Sequence, residues 1–212
     1  MLIIRKILYP ISIIYFIIIS FRNILFNYKI LKSKKYTIPL IGIGNLSTGG
    51  TGKTPMAEYI FENFSEKFNL ALLSRGYKRS TSGYIKASSK SSPKSIGDEP
   101  YQIFKKFKNI QVSVDEKRVR GIDNLILENK NLKAIVLDDC FQHRSISLKL
   151  NILLTTYKAP FFNDCILPTG NLREPLNGYK RADIIIVTKC PDNLKESEMK
   201  TFSDSINLPK HQ

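Results

Sequence analysis

Ile38-Pro39-Leu40-Ile41-Gly42-Ile43-Gly44 runs directly into Asn45-Leu46-Ser47-Thr48-Gly49-Gly50-Thr51-Gly52-Lys53-Thr54, and residues 53–66 continue with apolar side chains at Met56, Tyr59, Ile60 and Phe64. An apolar run closing in glycine, a glycine-rich turn and then helical spacing reads as strand, loop, helix. Gly-Lys-Thr at the mouth of a helix is the tail of a phosphate loop. Its glycines let backbone N–H groups curl round phosphate oxygens, the lysine reaches the terminal phosphates, and the threonine hydroxyl suits magnesium. One position departs from the common pattern: Ser47 stands where glycine is usual, six residues before Lys53. The double glycine Gly49-Gly50 resembles the variant loop of some P-loop families. Ser47, Thr48, Gly49, Gly50, Thr51, Gly52, Lys53 and Thr54 are therefore the candidate nucleotide-binding residues, with Thr54 also a candidate metal ligand.

Further along the chain the same alternation continues. Residues 70–73 read as a second strand, 79–97 as a mobile serine- and lysine-rich loop, and 99–107 as a helix with Tyr101, Ile103 and Phe104 facing inward. Strands are expected at 111–114, 134–137, 150–154 and 184–187, with a helix over 119–128. Strands this apolar are covered on both faces, so the expected fold is α/β: a P-loop NTPase-like, mostly parallel sheet flanked by helices.

Such folds hold magnesium with an acid at the end of a neighbouring apolar strand, and Leu137-Asp138-Asp139 supplies a pair of candidates. Acids at strand ends also serve as helix caps. Transfer of a phosphoryl group to a hydroxyl further needs a carboxylate to orient and deprotonate the acceptor. Gly97-Asp98-Glu99-Pro100 places two acids at a helix start, where Asp98 fits either that role or a cap. His143, just after the acidic pair, fits either a structural role or contact with a substrate phosphate.

The 212 residues, 42% hydrophobic and 24% charged, suffice for a real core. Cys140, Cys165 and Cys190 are too dispersed for a cysteine zinc site and odd in number, which excludes a disulfide scaffold. The net charge of +15 calls for an anionic partner. It is concentrated in an acid-free stretch over residues 1–36 and another over 75–97. Ile7 to Phe21 is an uncharged apolar run between Arg5-Lys6 and Arg22. A bilayer core needs about 20 residues, so the run suits a tilted or interfacial anchor, with Arg22 snorkelling and the following lysines facing an anionic leaflet; a cleaved signal and the core helix of a soluble protein are the alternatives. Residues 1–35 are expected to form this anchor and its basic juxtamembrane segment, and 36–212 the P-loop domain. Nucleic acid is not an expected partner, because the basic blocks lack interleaved aromatics. No obligate protein partner is expected either.

Taken together, Gly-Gly-Thr-Gly-Lys-Thr-Pro (49–55), Leu-Ser-Arg-Gly-Tyr (73–77), Gly-Asp-Glu-Pro (97–100), Leu-Asp-Asp-Cys-Phe-Gln-His-Arg (137–144), Pro-Thr-Gly-Asn-Leu-Arg-Glu-Pro (168–175), Arg-Ala-Asp (181–183) and Val-Thr-Lys-Cys-Pro (187–191) resemble, in the same order, the tetraacyldisaccharide 4'-kinases. The resemblance implies transfer of the ATP γ-phosphate, with Mg2+, to the 4'-hydroxyl of a tetraacylated glucosamine disaccharide 1-phosphate. The product would be lipid IV-A, in lipid A synthesis at the cytoplasmic face of the bacterial inner membrane. By that resemblance Asp98 would be the catalytic base, and Glu99, Asp138 and Asp139 would belong to the metal shell or its outer layer. Arg75, Tyr77, Arg118, Gln142, His143, Asn171, Arg173 and Glu174 would line the disaccharide and its 1-phosphate. Cys140 stands where the family commonly has glycine. Family members usually run much longer and end in a histidine-rich portion of which His211 shows nothing, so a missing C-terminal lobe and an exposed sheet edge are expected. Two alternatives accompany this reading: a membrane-associated P-loop ATPase, and an inactive fragment of the kinase.

Overall fold

The computed structural model describes Arg5 and residues 7–206; Lys6 of the basic flank and His211 lie outside the described residues. The chain divides into two compact units. One holds the described residues up to Leu31, Asn45–Gly52 and the described residues from Asn151 onward; the other holds Lys32–Gly44 and Lys53–Leu150.

The second unit carries β1 (Leu40–Asn45, whose last residue belongs to the first unit), α2 (Lys53–Phe64), β2 (Leu70–Ser74), β3 (Ile85–Lys86), α3 (Pro93–Ile96), α4 (Asp98–Lys106), β4 (Gln111–Val114), α5 (Arg118–Glu128) and β5 (Ala134–Asp138). Its strands lie in the order β3-β4-β2-β5-β1. β1 and β5, β2 and β5, and β2 and β4 pair in parallel, with Ile43 opposite Asp138, Leu73 opposite Leu137 and Ser74 opposite Val114. Parallel neighbours need crossovers, which the intervening helices provide. The register brings the C-terminal ends of β1, β2, β4 and β5 to one edge, where ligands of open α/β sheets bind. Leu40, Ala71, Leu73, Ile135 and Leu137 of the sheet pack with Ile122 and Leu125 of α5 in a buried core.

Residues 79–97, expected as a mobile loop, are more ordered. Ile85 and Lys86 pair antiparallel with Val114 and Ser113, and Ser92 and Ser95 cap each other at the start of α3. Serines that read as flexible composition act here as reciprocal caps. The helical spacing along α2 left open which apolar positions face inward: Ala57, Ile60 and Phe61 are buried, whereas Tyr59 and Phe64 are 58% and 46% exposed. Two apolar stripes overlapped in this segment, and the Phe61–Phe107 ring contact at 5.6 Å accompanies burial of the Phe61 face.

The first unit carries α1 (Tyr9–Asn27), β6 (Leu150–Thr156, from Asn151), β7 (Ile184–Thr188) and α6 (Glu196–Ser205), a helix that the alternation of strands did not announce. β6 and β7 are parallel, from Ile152 opposite Ile184 to Thr156 opposite Thr188. α1 extends the apolar run through Arg22 and exposes Ile11, Ile14, Ile17, Ile18 and Phe21. One polar stripe of it is docked: Ser12 Oγ lies 2.7 Å from Thr169 Oγ1 and accepts the Thr169 N–H, and the Tyr15 hydroxyl donates to the Arg173 carbonyl at 2.7 Å. A buried serine among isoleucines is tolerated because its hydroxyl is satisfied.

Candidate active site

The glycine-rich loop is shaped within the first unit. Gly49 (φ +118°) and Gly52 (φ +89°) occupy backbone regions that side chains disfavour, and a Cβ at Gly49 would meet nothing within 4 Å, so that turn is open to a ligand. The stretch before them is held by the 168–175 motif. The Thr48 N–H donates to the Asn171 carbonyl and the Arg173 N–H to the Leu46 carbonyl, both at 2.8 Å, and Ser47 forms an antiparallel bridge with Leu172. This bridge explains the departure at Ser47: a residue paired as a strand needs no glycine. On the far side of the loop the Thr188 hydroxyl donates to the Thr51 carbonyl at 2.9 Å.

The second unit carries a cluster of charged groups of its own. Lys53 and Thr54 open α2, and Lys53 Nζ lies 3.7 Å from Asp139 Oδ1. Asp139 adopts φ +48°, a left-handed conformation that aspartate tolerates, at the turn following β5. Asp138 is buried; its Oδ2 accepts from the Ser74 hydroxyl at 3.1 Å, and its main-chain carbonyl accepts from Arg118 Nη2 at 3.1 Å. Asp138 Oδ1 is buried with no hydrogen-bond partner among the described residues. Burial first, then the charges of Glu99 and Asp139, push the Asp138 carboxyl up to about 6, against the opposing pull of Lys53 and Ser74. A buried polar atom left without a hydrogen bond is uncommon in a folded protein, and burial of a carboxylate is costly without an opposite charge beside it.

Asp98 is exposed at the first position of α4, and the cap residue is Gly97 rather than Asp98. Gly97 has φ +92°, and a Cβ on it would lie 3.0 Å from the Tyr77 carbonyl oxygen and 3.1 Å from the Gly76 Cα. Two sequence motifs, 73–77 and 97–100, thus meet backbone to backbone, and only glycine permits the approach that sets Asp98 and Glu99 beside the turn after β2. Arg75 and Tyr77 stand exposed on that turn, and Gln142 and His143 are half-buried after the acidic pair.

Other expected lining residues are placed differently. Arg118 is 3% exposed and donates to the carbonyls of Asp115 and Asp138; Glu174 is 2% exposed, paired with Arg181 at 2.8 Å and accepting from Asn23. Both hold protein rather than face solvent. In the first unit the Asn171 side chain donates to Asp164 at 3.0 Å, and Arg173 is half-buried. Sequence reasoning missed Ser74, the partner of Asp138, and Thr188, the partner of the loop; each lies inside a quoted motif, but nothing in its spacing reveals which backbone or carboxylate it meets.

The sequence profile described as tetraacyldisaccharide-1-P 4'-kinase matches residues 4–211. The chain belongs to the tetraacyldisaccharide 4'-kinase family. It is 48% identical over 210 residues to the tetraacyldisaccharide 4'-kinase of Parabacteroides distasonis, covering 98% of this chain and 57% of that protein. Against the Flavobacterium johnsoniae protein of the same description it is 48% identical over 194 residues, covering 92% of this chain and 57% of the relative. The chain therefore spans somewhat over half the length of these family members. Among solved structures, LpxK from Aquifex aeolicus in complex with ATP superposes with a TM-score of 0.81 at 38% identity, over 91% of this chain and 62% of that one. The α/β, mostly parallel fold expected from the phosphate loop is thus that of this kinase family.

Proposed function

We propose that this chain binds ATP at the 47–54 loop and transfers the γ-phosphate to the 4'-hydroxyl of a tetraacylated glucosamine disaccharide 1-phosphate, forming lipid IV-A. The observation carrying this reading is the loop itself: an open, glycine-shaped turn leading into Lys53, with the buried, incompletely satisfied Asp138 and the neighbouring Asp139 in the Lys53-bearing unit. Membership of the family and the ATP in the Aquifex aeolicus structure support it.

In this reading the loop N–H groups and Lys53 hold the polyphosphate, and preorganised positive charge stabilises the transferring group. Among the described residues no three carboxylate, imidazole or thiol groups converge as a metal cage. Magnesium keeps several waters and takes one or two carboxylates beside nucleotide phosphates. Thr54, Asp138 and Asp139 would hold it, with Glu99 in the outer layer, and it would neutralise charge on the phosphates. Asp98, exposed and not engaged as a cap, orients the acceptor hydroxyl and takes its proton. Arg75, Tyr77, Gln142, His143, Asn171 and Arg173 are the lining candidates whose side chains are not fully buried. The exposed isoleucines and phenylalanines of α1, with Arg22 and the lysines after it, anchor the protein at the cytoplasmic face of the inner membrane. The test is label transfer: the chain in mixed micelles with γ-labelled ATP, magnesium and the disaccharide lipid should move label into the lipid. Release of labelled phosphate without lipid labelling would instead identify an ATPase.

A further inference from the structure

We propose that Lys189 is a nucleotide-contacting residue, its ammonium standing over the Gly49-Gly50 turn as a second positive charge for the bound polyphosphate. The proposal rests on the reading of the loop as an ATP site, and every contact that carries it lies within the first unit.

Three observations converge. The ammonium of Lys189 lies 3.9 Å from where a Cβ on Gly50 would be, and it is the nearest group on that side of the turn. The residue before it is clamped to the same loop: the Thr188 hydroxyl donates to the Thr51 carbonyl at 2.9 Å, and the Thr188 methyl lies 3.5 Å from a Cβ built on Gly52. Lys189 itself adopts φ +55°, a left-handed backbone that lysine seldom takes, immediately after β7 ends. Strain of this kind persists only where the surroundings over-determine it, and it clusters at ligand clamps. Here Thr188 supplies the constraint, its carbonyl also accepting the Tyr157 N–H at 2.9 Å. The turn directs the side chain back along the loop.

Lys189 is exposed and forms no ion pair among the described residues. An unneutralised ammonium beside a turn whose N–H groups are arranged for an anion raises anion affinity by direct attraction. It is distinct from Lys53, which belongs to α2 and has Asp139 as its counter-charge.

The test compares binding of ATP and of adenosine, by calorimetry on the full chain with magnesium, for the wild type, Lys189→Ala, Lys189→Arg and Lys53→Ala. Loss of one charge-assisted contact predicts a Kd for ATP raised about tenfold in Lys189→Ala. Adenosine binding and the ligand-free melting temperature should stay unchanged, and Lys189→Arg should recover most of the affinity. ATP affinity within about twofold of wild type in Lys189→Ala overturns the proposal. Equal losses for ATP and adenosine, or a lowered ligand-free melting temperature that arginine does not rescue, overturn it as well, by showing a packing role. A wild type that fails to bind ATP overturns the loop reading, and this inference with it; unchanged affinity in Lys189→Ala beside a strong loss in Lys53→Ala defeats this inference alone.

Discussion

Asp115-Glu116 after β4 and Asp138-Asp139 at the end of β5 are acidic pairs at the same edge of one sheet, yet their surroundings differ throughout. Asp115 is fully buried and saturated: it accepts from Arg120 Nε and Nη2, both at 2.8 Å, and from the Lys117 N–H at 2.8 Å. Glu116 accepts from the Gly83 N–H at 3.1 Å and pairs with Arg79 and Arg120. Backbone hydrogen bonding, with help from Arg79, holds its carboxyl down at about 2. Asp138 is displaced in the opposite direction, up to about 6, and keeps one oxygen idle. The difference separates a pair whose hydrogen-bonding capacity is taken up by neighbouring arginines and backbone amides from a carboxylate, Asp138, with one buried oxygen left unsatisfied.

The contrast can be broken at several points. The largest effect is expected from Lys53→Ala, which removes the counter-charge of the terminal phosphates and should cut label transfer by roughly 10³-fold, together with ATP affinity. Unchanged ATP binding by calorimetry would detach the loop from the nucleotide. Asp98→Asn should lower turnover by about 10²-fold while leaving the Kd for ATP in place, since it removes a proton acceptor and no phosphate contact. Parallel losses in both quantities would make Asp98 structural.

The saturated pair should respond in stability rather than in nucleotide binding. Asp115→Ala strands Arg120 and the Lys117 N–H and should lower the melting temperature by on the order of 5 °C, with ATP affinity retained. The smallest effect is expected from Glu116→Gln, and it depends on pH. A carboxyl whose folded pKa is depressed stabilises the fold above its ordinary value, 4.5, and loses that contribution as the pH falls toward about 2. The melting temperature of wild type should therefore exceed that of Glu116→Gln at pH 6 and converge with it near pH 2. A gap that persists at pH 2 would mean that the half-buried Glu116 acts through packing instead of charge.

Much of the fold was legible because it rests on local periodicity. The apolar runs at 70–73, 111–114 and 134–137 and the Gly-Lys-Thr helix entrance are short-range signals, and each became the element expected. Along α2, Tyr59 and Phe64 satisfy helical spacing as well as Ala57 and Phe61 do; only the surface they meet separates the two faces. The same holds for residues 79–97, whose serines suggest mobility in isolation and become caps and strand partners once β4 is beside them. In the candidate site the residue types were readable, but their commitments were not. Arg118 and Glu174 are buried, bonded to the carbonyls of Asp115 and Asp138 and to the guanidinium of Arg181, partners that spacing along the chain does not reveal.

Composition and spacing alone were enough for the glycine-rich loop, the alternation of strands and helices and the apolar first helix, since each depends on neighbours a few residues away; the family came from the resemblance of seven motifs in a shared order. Folding in three dimensions decided which acid is spent and which is idle, why serine suffices at position 47, and that Lys189 stands over Gly50. Those outcomes depend on burial and on partners distant in the chain, where removal from water makes one missing hydrogen bond matter more than any local preference.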